Sequence, residues 1–280
     1  MDLKRVKKIA IIGVGFMGGS LALALKKKLP YAKIWGFARS QKSFNKLKRL
    51  SLLDRVEKDL AKLVVDSDLV VFALPVKVIC SYFKKVSPFL KEGATVIDLG
   101  STKQLVEKSA KMNLPRSIDF IACHPLAGSE KSGAEFSHEN LYQGSVCLIT
   151  SSPKAKAAKS VKNFWQKLGC RVVFISASQH DKVLSGISHL PHLISFSLSE
   201  LISEDYLKFS TNSFKDLTRI ANSPALVWAD IFISNSDNIV RDLKGYIKIL
   251  KKYQALLKKG DRELIVKLIT KVNHKQKKII

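Results

Sequence analysis

Gly13-Val14-Gly15-Phe16-Met17-Gly18 fits the pattern G-x-G-x-x-G and follows directly on the apolar run Ile9-Ala10-Ile11-Ile12. A helical pattern from Phe16 to Lys28 comes next. Alone the glycine pattern is weak, and a plain glycine turn between a strand and a helix is the alternative. A strand ahead and a helix behind are the context a dinucleotide site requires. Gly13 permits a tight turn, and Gly15 lets a pyrophosphate approach the backbone. The helix start adds amide donors and a positive dipole. The expected cofactor contacts are Gly13, Gly15, Phe16, Met17 and Gly18, with Leu74 and Pro75 at the end of a later strand.

The same alternation continues. Apolar strands are expected at Ile34–Ala38, Leu69–Leu74, Thr95–Asp98, Phe120–Cys123, Val146–Ile149 and Val172–Ile175. Continuous apolar strands separated by helical stretches indicate an α/β fold, a doubly wound Rossmann-type parallel sheet covered on both faces. After about Ser176 the rhythm changes to helical periodicity. One long helix is expected from Ala225 to Leu257 and a last one from Glu263 to Lys271. The chain of 280 residues is therefore expected to divide into a dinucleotide-binding domain, 1–178, and an all-helical domain, 179–280, to which the resemblance described below assigns substrate binding and dimerisation.

Composition removes other classes. The formal charge of +25 raises nucleic-acid binding, but only nine of the 48 basic residues are arginine and they are scattered. No aromatic-interleaved basic patch or nucleic-acid motif is present, so lysine-rich solvated helix faces are expected instead. Such a field still gathers anionic substrates. The basic start and the apolar run behind it resemble a signal peptide, yet the run breaks at Gly13 and is expected to be the first strand. No apolar run approaches the ~18 residues of a membrane helix. Cys80, Cys123, Cys147 and Cys170 form no C-x-x-C pair. Reduced thiols and a cytoplasmic location are expected.

About 20 residues past the glycines, a carboxylate would hold a ribose 2′-hydroxyl. Here Ala38-Arg39-Ser40-Gln41-Lys42 has none. Arg39 and Ser40 suit a 2′-phosphate, so NADP is favoured over NAD; a surface arginine that begins a helix is the alternative. His124 stands at the C-terminal end of a strand, where open α/β sheets bind ligands. It is as suited to structural hydrogen bonding as to catalysis. Ser101, at another strand end, is a helix cap or a contact to nicotinamide and substrate. His189 and His192 lie three apart on one helix face, with Pro191 expected to kink the helix. No third ligand at a zinc spacing accompanies them, so no metal is expected. Arg219 is expected among apolar residues, where a cation is costly unless it meets an anion.

Taken together, the glycine pattern, Gly100-Ser101-Thr102-Lys103, His124-Pro125-Leu126-Ala127-Gly128-Ser129-Glu130-Lys131-Ser132-Gly133, Ser188-His189-Leu190-Pro191-His192 and Asp216-Leu217-Thr218-Arg219-Ile220-Ala221 resemble the prephenate and arogenate dehydrogenase family over essentially the whole chain. The resemblance implies that His124 is the catalytic base and that Arg219 binds a substrate carboxylate. It also implies that the helical domain forms a homodimer. His189 and His192 would meet the substrate side chain, and Glu130-Lys131 with His192 points to prephenate rather than arogenate. Ala38 departs from the acidic residue of many members. A 3-hydroxyacid dehydrogenase of the same plan would use a lysine–asparagine pair not found here. A non-catalytic NADPH sensor is the remaining alternative.

Overall fold

The computed structural model describes residues 3–128 and 131–277, except the side chain of Lys4. The chain divides into two compact units, 1–235 and 236–280. The first unit opens with β1 (Lys8–Ile12), α1 (Phe16–Lys28), β2 (Lys33–Phe37), α2 (Gln41–Leu50), β3 (Arg55–Glu57) and α3 (Leu60–Val64). It continues through β4 (Leu69–Phe72), α4 (Val76–Val86), β5 (Thr95–Asp98), α5 (Gln104–Asn113) and β6 (Asp119–Leu126). Next come β7 (Val146–Ile149), α6 (Ala158–Lys167) and β8 (Arg171–Phe174).

These eight strands form one sheet in the order β3-β2-β1-β4-β5-β6-β7-β8. Successive side chains of a strand point to opposite faces. Ile9 and Ile11 of β1 and Leu69 and Val71 of β4 accordingly enter one core cluster, while Ala10, Ile12, Val70 and Phe72 enter the other. Both faces are dry, and that is why these strands read as unbroken apolar runs.

Two features differ from the expected parallel sheet. β3 is an additional edge strand, paired parallel to β2. β7 runs antiparallel to β6, with Leu126 opposite Val146 and Cys123 opposite Ile149. A parallel partner would need its connection to return to the other end of the sheet, a crossover usually made by a helix. The 127–145 connection carries only the short 3-10 turn Ala134–Phe136 among its described residues. It therefore stays at the C-terminal edge of the sheet, where the glycine loop also lies.

Helices complete the unit: α7 (Ala177–Leu184), a π-helical turn Ser185–His189, α8 (Leu190–Leu201), α9 (Asn212–Thr218), a 3-10 turn Arg219–Asn222 and α10 (Ala225–Ser234). Pro191 does not kink a helix interior. It lies in the first turn of α8, directly after the π turn, where its missing N–H is tolerated. The long helix expected from Ala225 to Leu257 is broken at Asn235, whose backbone leaves the helical region at φ −124°.

The second unit holds α11 (Ser236–Lys259) and α12 (Arg262–Gln276), the latter longer at both ends than expected. Between them Gly260 takes φ +67°, and the Asp261 carboxylate accepts from the Leu264 N–H at 3.0 Å to cap α12. Val240, Ile247, Leu250 and Leu257 of α11 and Val266, Ile269 and Val272 of α12 are exposed. No described helix is long and apolar enough to cross a membrane.

Candidate active site

A cleft of about 720 Å3 opens along the C-terminal edge of the sheet, lined at one end by Gly15, Phe16, Met17, Leu74 and Pro75. Gly13 holds φ +103°, and a Cβ there would lie 2.2 Å from the Ala73 carbonyl oxygen. A Cβ on Gly18 would lie 2.1 Å from the Gly13 oxygen. At Gly15 a Cβ would meet nothing within 4 Å. Packing therefore explains Gly13 and Gly18, whereas Gly15 keeps open space bare. No side chain caps α1 and its first turn carries no acid, so its positive end is available to an anion. This cradle fits a dinucleotide pyrophosphate.

At the middle of the cleft stand Ser101 and His124, at the ends of adjacent strands β5 and β6. A buried ion pair stitches those ends together. Asp98 accepts from Lys103 Nζ and from the Gly100 N–H at 2.8 Å, and Lys103 Nζ donates to the Cys123 carbonyl at 2.7 Å. Breaking such a pair from one side strands a buried charge. Ser101 does not cap α5. The amides of Lys103 and Gln104 instead donate to Asp181, at 2.8 and 3.0 Å.

His124 Nδ1 meets Nε2 of His180 at 2.9 Å, and His180 Nδ1 meets the Asp181 carboxylate at 2.8 Å. His180 and Asp181 are fully buried. Burial first, then His180, Lys103 and His189, hold the His124 pKa well below the ordinary histidine value. Burial also lowers that of His180. Burial alone would raise the Asp181 pKa, but hydrogen bonds from His180 and the two amides outweigh it and hold it below the usual carboxylate range. The imidazoles are thus neutral and the carboxylate charged at pH 7.

Ser188, His192, Arg219 and Trp228 also line the cleft. The His192 ring stacks on Trp228 with centroids 3.5 Å apart, and its Nδ1–H donates to the Ser188 carbonyl at 2.9 Å. Arg219 is exposed rather than set among buried apolar groups, so the cost of burying a cation does not apply to it. Lys131 lines the cleft opening and is also exposed. Glu130 lies outside the described residues.

His189 is elsewhere. It shares the Trp228 neighbour with His192 but is buried behind the cleft wall, where the Asn235 amide donates to its Nδ1 at 3.0 Å and to the Asp181 carbonyl at 2.7 Å. Arg39 and Ser40 also lie away from the cleft lining, at the start of α2. Sequence reasoning missed Trp228, His180, Asp181 and Asn235. Among the described residues no group of three His, Cys, Asp or Glu side chains is placed to hold a metal.

Burial, partly offset by Asp181, pulls the His189 pKa from 6.5 down to about 4. The unfolded chain therefore takes up a proton between pH 6.5 and 4 that the folded chain refuses, and stability falls as pH falls through that window. The shift corresponds to about 3 kcal/mol. Urea unfolding at pH 7 and pH 5 measures it. The expected result is a lower midpoint at pH 5, with a smaller difference in His189→Gln.

A doubly wound sheet with a bare glycine cradle, and an imidazole three strands along the same edge, define a dinucleotide-dependent oxidoreductase. The family described as "Prephenate dehydrogenase, nucleotide-binding domain" matches residues 21–174, and "Prephenate dehydrogenase, dimerization domain" matches 176–271. The chain belongs to the prephenate dehydrogenase family and is a dehydrogenase. It is 32% identical to a cyclohexadienyl dehydrogenase of Zymomonas mobilis over 93% of this chain and 92% of the relative. It is 31% identical to a prephenate dehydrogenase of Lactococcus lactis, over 93% of this chain and 74% of the relative. Among solved structures, a prephenate dehydrogenase of Aquifex aeolicus in complex with hydroxyphenyl propionate and NAD+ is 34% identical, with a TM-score of 0.89 and 98% of each chain covered.

Proposed function

We propose that this enzyme oxidatively decarboxylates prephenate to 4-hydroxyphenylpyruvate, with NADP as the preferred hydride acceptor. The observation that carries the reading is that one cleft is lined by the glycine loop, Ser101, His124 and Arg219 together. The glycine cradle would hold the dinucleotide, His124 and Ser101 would face its reactive end, and Arg219 would meet a substrate carboxylate. His124 takes the hydroxyl proton, and the bound dinucleotide would supply the hydride acceptor for C4. The ring carboxylate then departs as CO2, its C–C electron pair enters the ring, His124 returns the proton to the phenolate oxygen, and aromatisation drives the sequence. Ser101 orients the hydroxyl and the nicotinamide, His192 and Lys131 contact the substrate, and His189 supports the wall behind. The protein supplies orientation and electrostatics, and the cofactor carries the redox step.

Prephenate rests on the cations Arg219 and Lys131, which favour a dianion and oppose an ammonium. A second reading, arogenate, has its own support. The Nδ1–H of His192 is already donated to Ser188, so the neutral ring offers Nε2 as an acceptor, which suits an ammonium rather than a keto oxygen.

NADP rests on the start of α2. Ala38 is buried and offers no acceptor, and the first turn of α2 carries no acid. The Ser40 hydroxyl caps that helix by accepting from Ser43 N–H at 3.2 Å, which leaves the exposed Arg39, Lys42 and the helix end to meet a 2′-phosphate. We place the division of labour at 178/179, close to the gap between the two family matches. The helical part, with its exposed apolar residues on α11 and α12, pairs two chains as a homodimer. The four free cysteines accord with a cytoplasmic location.

The test is reduction of NADP and NAD with prephenate and with arogenate, in wild type and Arg39→Ala. The expected result is a higher kcat/KM for prephenate and a preference for NADP of ~10-fold or more that Arg39→Ala erases. A higher kcat/KM with arogenate selects the second reading, and an unchanged cofactor ratio in Arg39→Ala removes the NADP assignment.

A further inference from the structure

His180 and Asp181 do not line the cleft, yet they are wholly buried, and His180 meets the cleft residue His124. Their hydrogen bonds decide which nitrogen of His124 carries the proton. An ionised carboxylate only accepts, so His180 must donate Nδ1–H to Asp181. A neutral His180 then has its lone pair on Nε2 and must accept from His124. His124 therefore carries its proton on Nδ1 and has its lone pair on Nε2. The opposite tautomer would offer the cleft an N–H, which cannot take a proton.

We propose that His180, backed by Asp181, is a positioning residue that holds His124 in the tautomer able to act as base. The inference rests on His124 being that base. In the step it serves, the substrate O–H bond breaks and its proton goes to His124 Nε2. The O–H electron pair forms the carbonyl as the same carbon gives up its hydride, which a bound dinucleotide would accept. The imidazolium so formed keeps its Nδ1–H bond to His180, and the Asp181 carboxylate, two bonds away in the chain, opposes its charge.

The other charged or titratable groups facing His180 and His124 are Lys103 and Asp98 from the β5–α5 connection and His189 from the π turn. Lys103 is neutralised by Asp98 within the same buried pair, so Asp181 is the carboxylate aligned on the two rings. The same carboxylate holds the start of α5, which fixes its own position.

The experiment compares His180→Leu, His180→Gln, His124→Asn and the His124→Asn/His180→Leu double variant. It reads kcat, KM, cofactor affinity and the nitrogen-15 spectra of the histidine rings. His180→Leu is expected to lose about 100-fold in kcat, the size of a lost general base, with KM and cofactor affinity nearly unchanged. His180→Gln keeps an oxygen to accept from His124 and an amide to donate to Asp181, so it recovers about tenfold or more of that loss. In the double variant the loss is no greater than in His124→Asn alone, because the two residues act as one unit. His124 shows protonated Nδ1 in wild type and mixed tautomers in His180→Leu. An undiminished kcat in His180→Leu, or losses that multiply in the double variant, would overturn the positioning role while leaving His124 as base. A near-normal kcat in His124→Asn overturns the base assignment and the positioning role with it.

Discussion

Replacing His124 with asparagine is expected to lower kcat by about 100-fold or more, the range for removing a positioned general base. The variant is chosen to change chemistry and little else. An asparagine amide can still donate toward His180, and it occupies less volume than the ring it replaces, so the cleft wall stays closed. What it lacks is a lone pair basic enough to take a hydroxyl proton. Cofactor affinity should remain close to wild type, because the glycine cradle lies on a different strand end. The pH profile provides an independent readout. Burial and neighbouring positive charge depress the His124 pKa, so the neutral, competent ring persists into acid. The acid limb of kcat/KM in wild type is therefore expected below pH 6.5, and it should vanish in the variant. A variant that turns over normally would remove His124 from the mechanism.

The parts of the fold legible in the sequence are those where one physical demand dominates. β1, β4 and β5 are dry on both faces, and such strands have little choice but a continuous apolar run. β3 escaped notice because Arg55-Val56-Glu57 is three residues at the sheet edge, with two charges and one apolar side chain. The direction of β7 was illegible for a different reason: Val146-Cys147-Leu148-Ile149 reads the same in a parallel or antiparallel partner. The helix break at Asn235 was hidden because apolar spacing runs on across it. The residue acts through its amide on His189 and Asp181, contacts that exist only once the chain has folded.

The candidate site divides along the same line. His124, Ser101 and the glycines were legible because strand ends of an open α/β sheet are where ligands bind. His180 and Asp181 sit in Gln179-His180-Asp181-Lys182, which by composition is a solvated first turn. Only the approach of α7 to the start of α5 buries them. The spacing of His189 and His192 put both on one helix face, and in the structure both rings neighbour Trp228. It did not separate the ring in the cleft from the ring behind it, because the π turn that sets their depth is not a period the pattern encodes. Arg219 failed in the other direction. Its apolar sequence neighbours suggested burial, yet the 3-10 turn that carries it has no buried residue, so the cation is exposed while lining the cleft.

Gly15→Val is expected to weaken dinucleotide binding by about 100-fold or more, which is about 3 kcal/mol, without unfolding the protein. Gly15 holds φ −95° and ψ −152°, extended backbone with a negative φ, so it does not need the left-handed freedom of glycine. Its added Cβ would touch no protein atom within 4 Å. The new methyl groups would project into the space over the start of α1, where a pyrophosphate must come within hydrogen-bond reach of the backbone amides. Gly13→Ala is the control with the opposite signature. There φ is +103° and the new methyl would lie 2.2 Å from the Ala73 carbonyl oxygen, so the loop or β4 must move. That overpacking and backbone strain are expected to cost about 1–3 kcal/mol of stability. Thermal unfolding and cofactor titration of the two variants separate the effects. Gly15→Val should keep the wild-type Tm and lose affinity, while Gly13→Ala should lose Tm as well. Unaltered affinity in Gly15→Val would mean that the cofactor does not lie over this glycine loop.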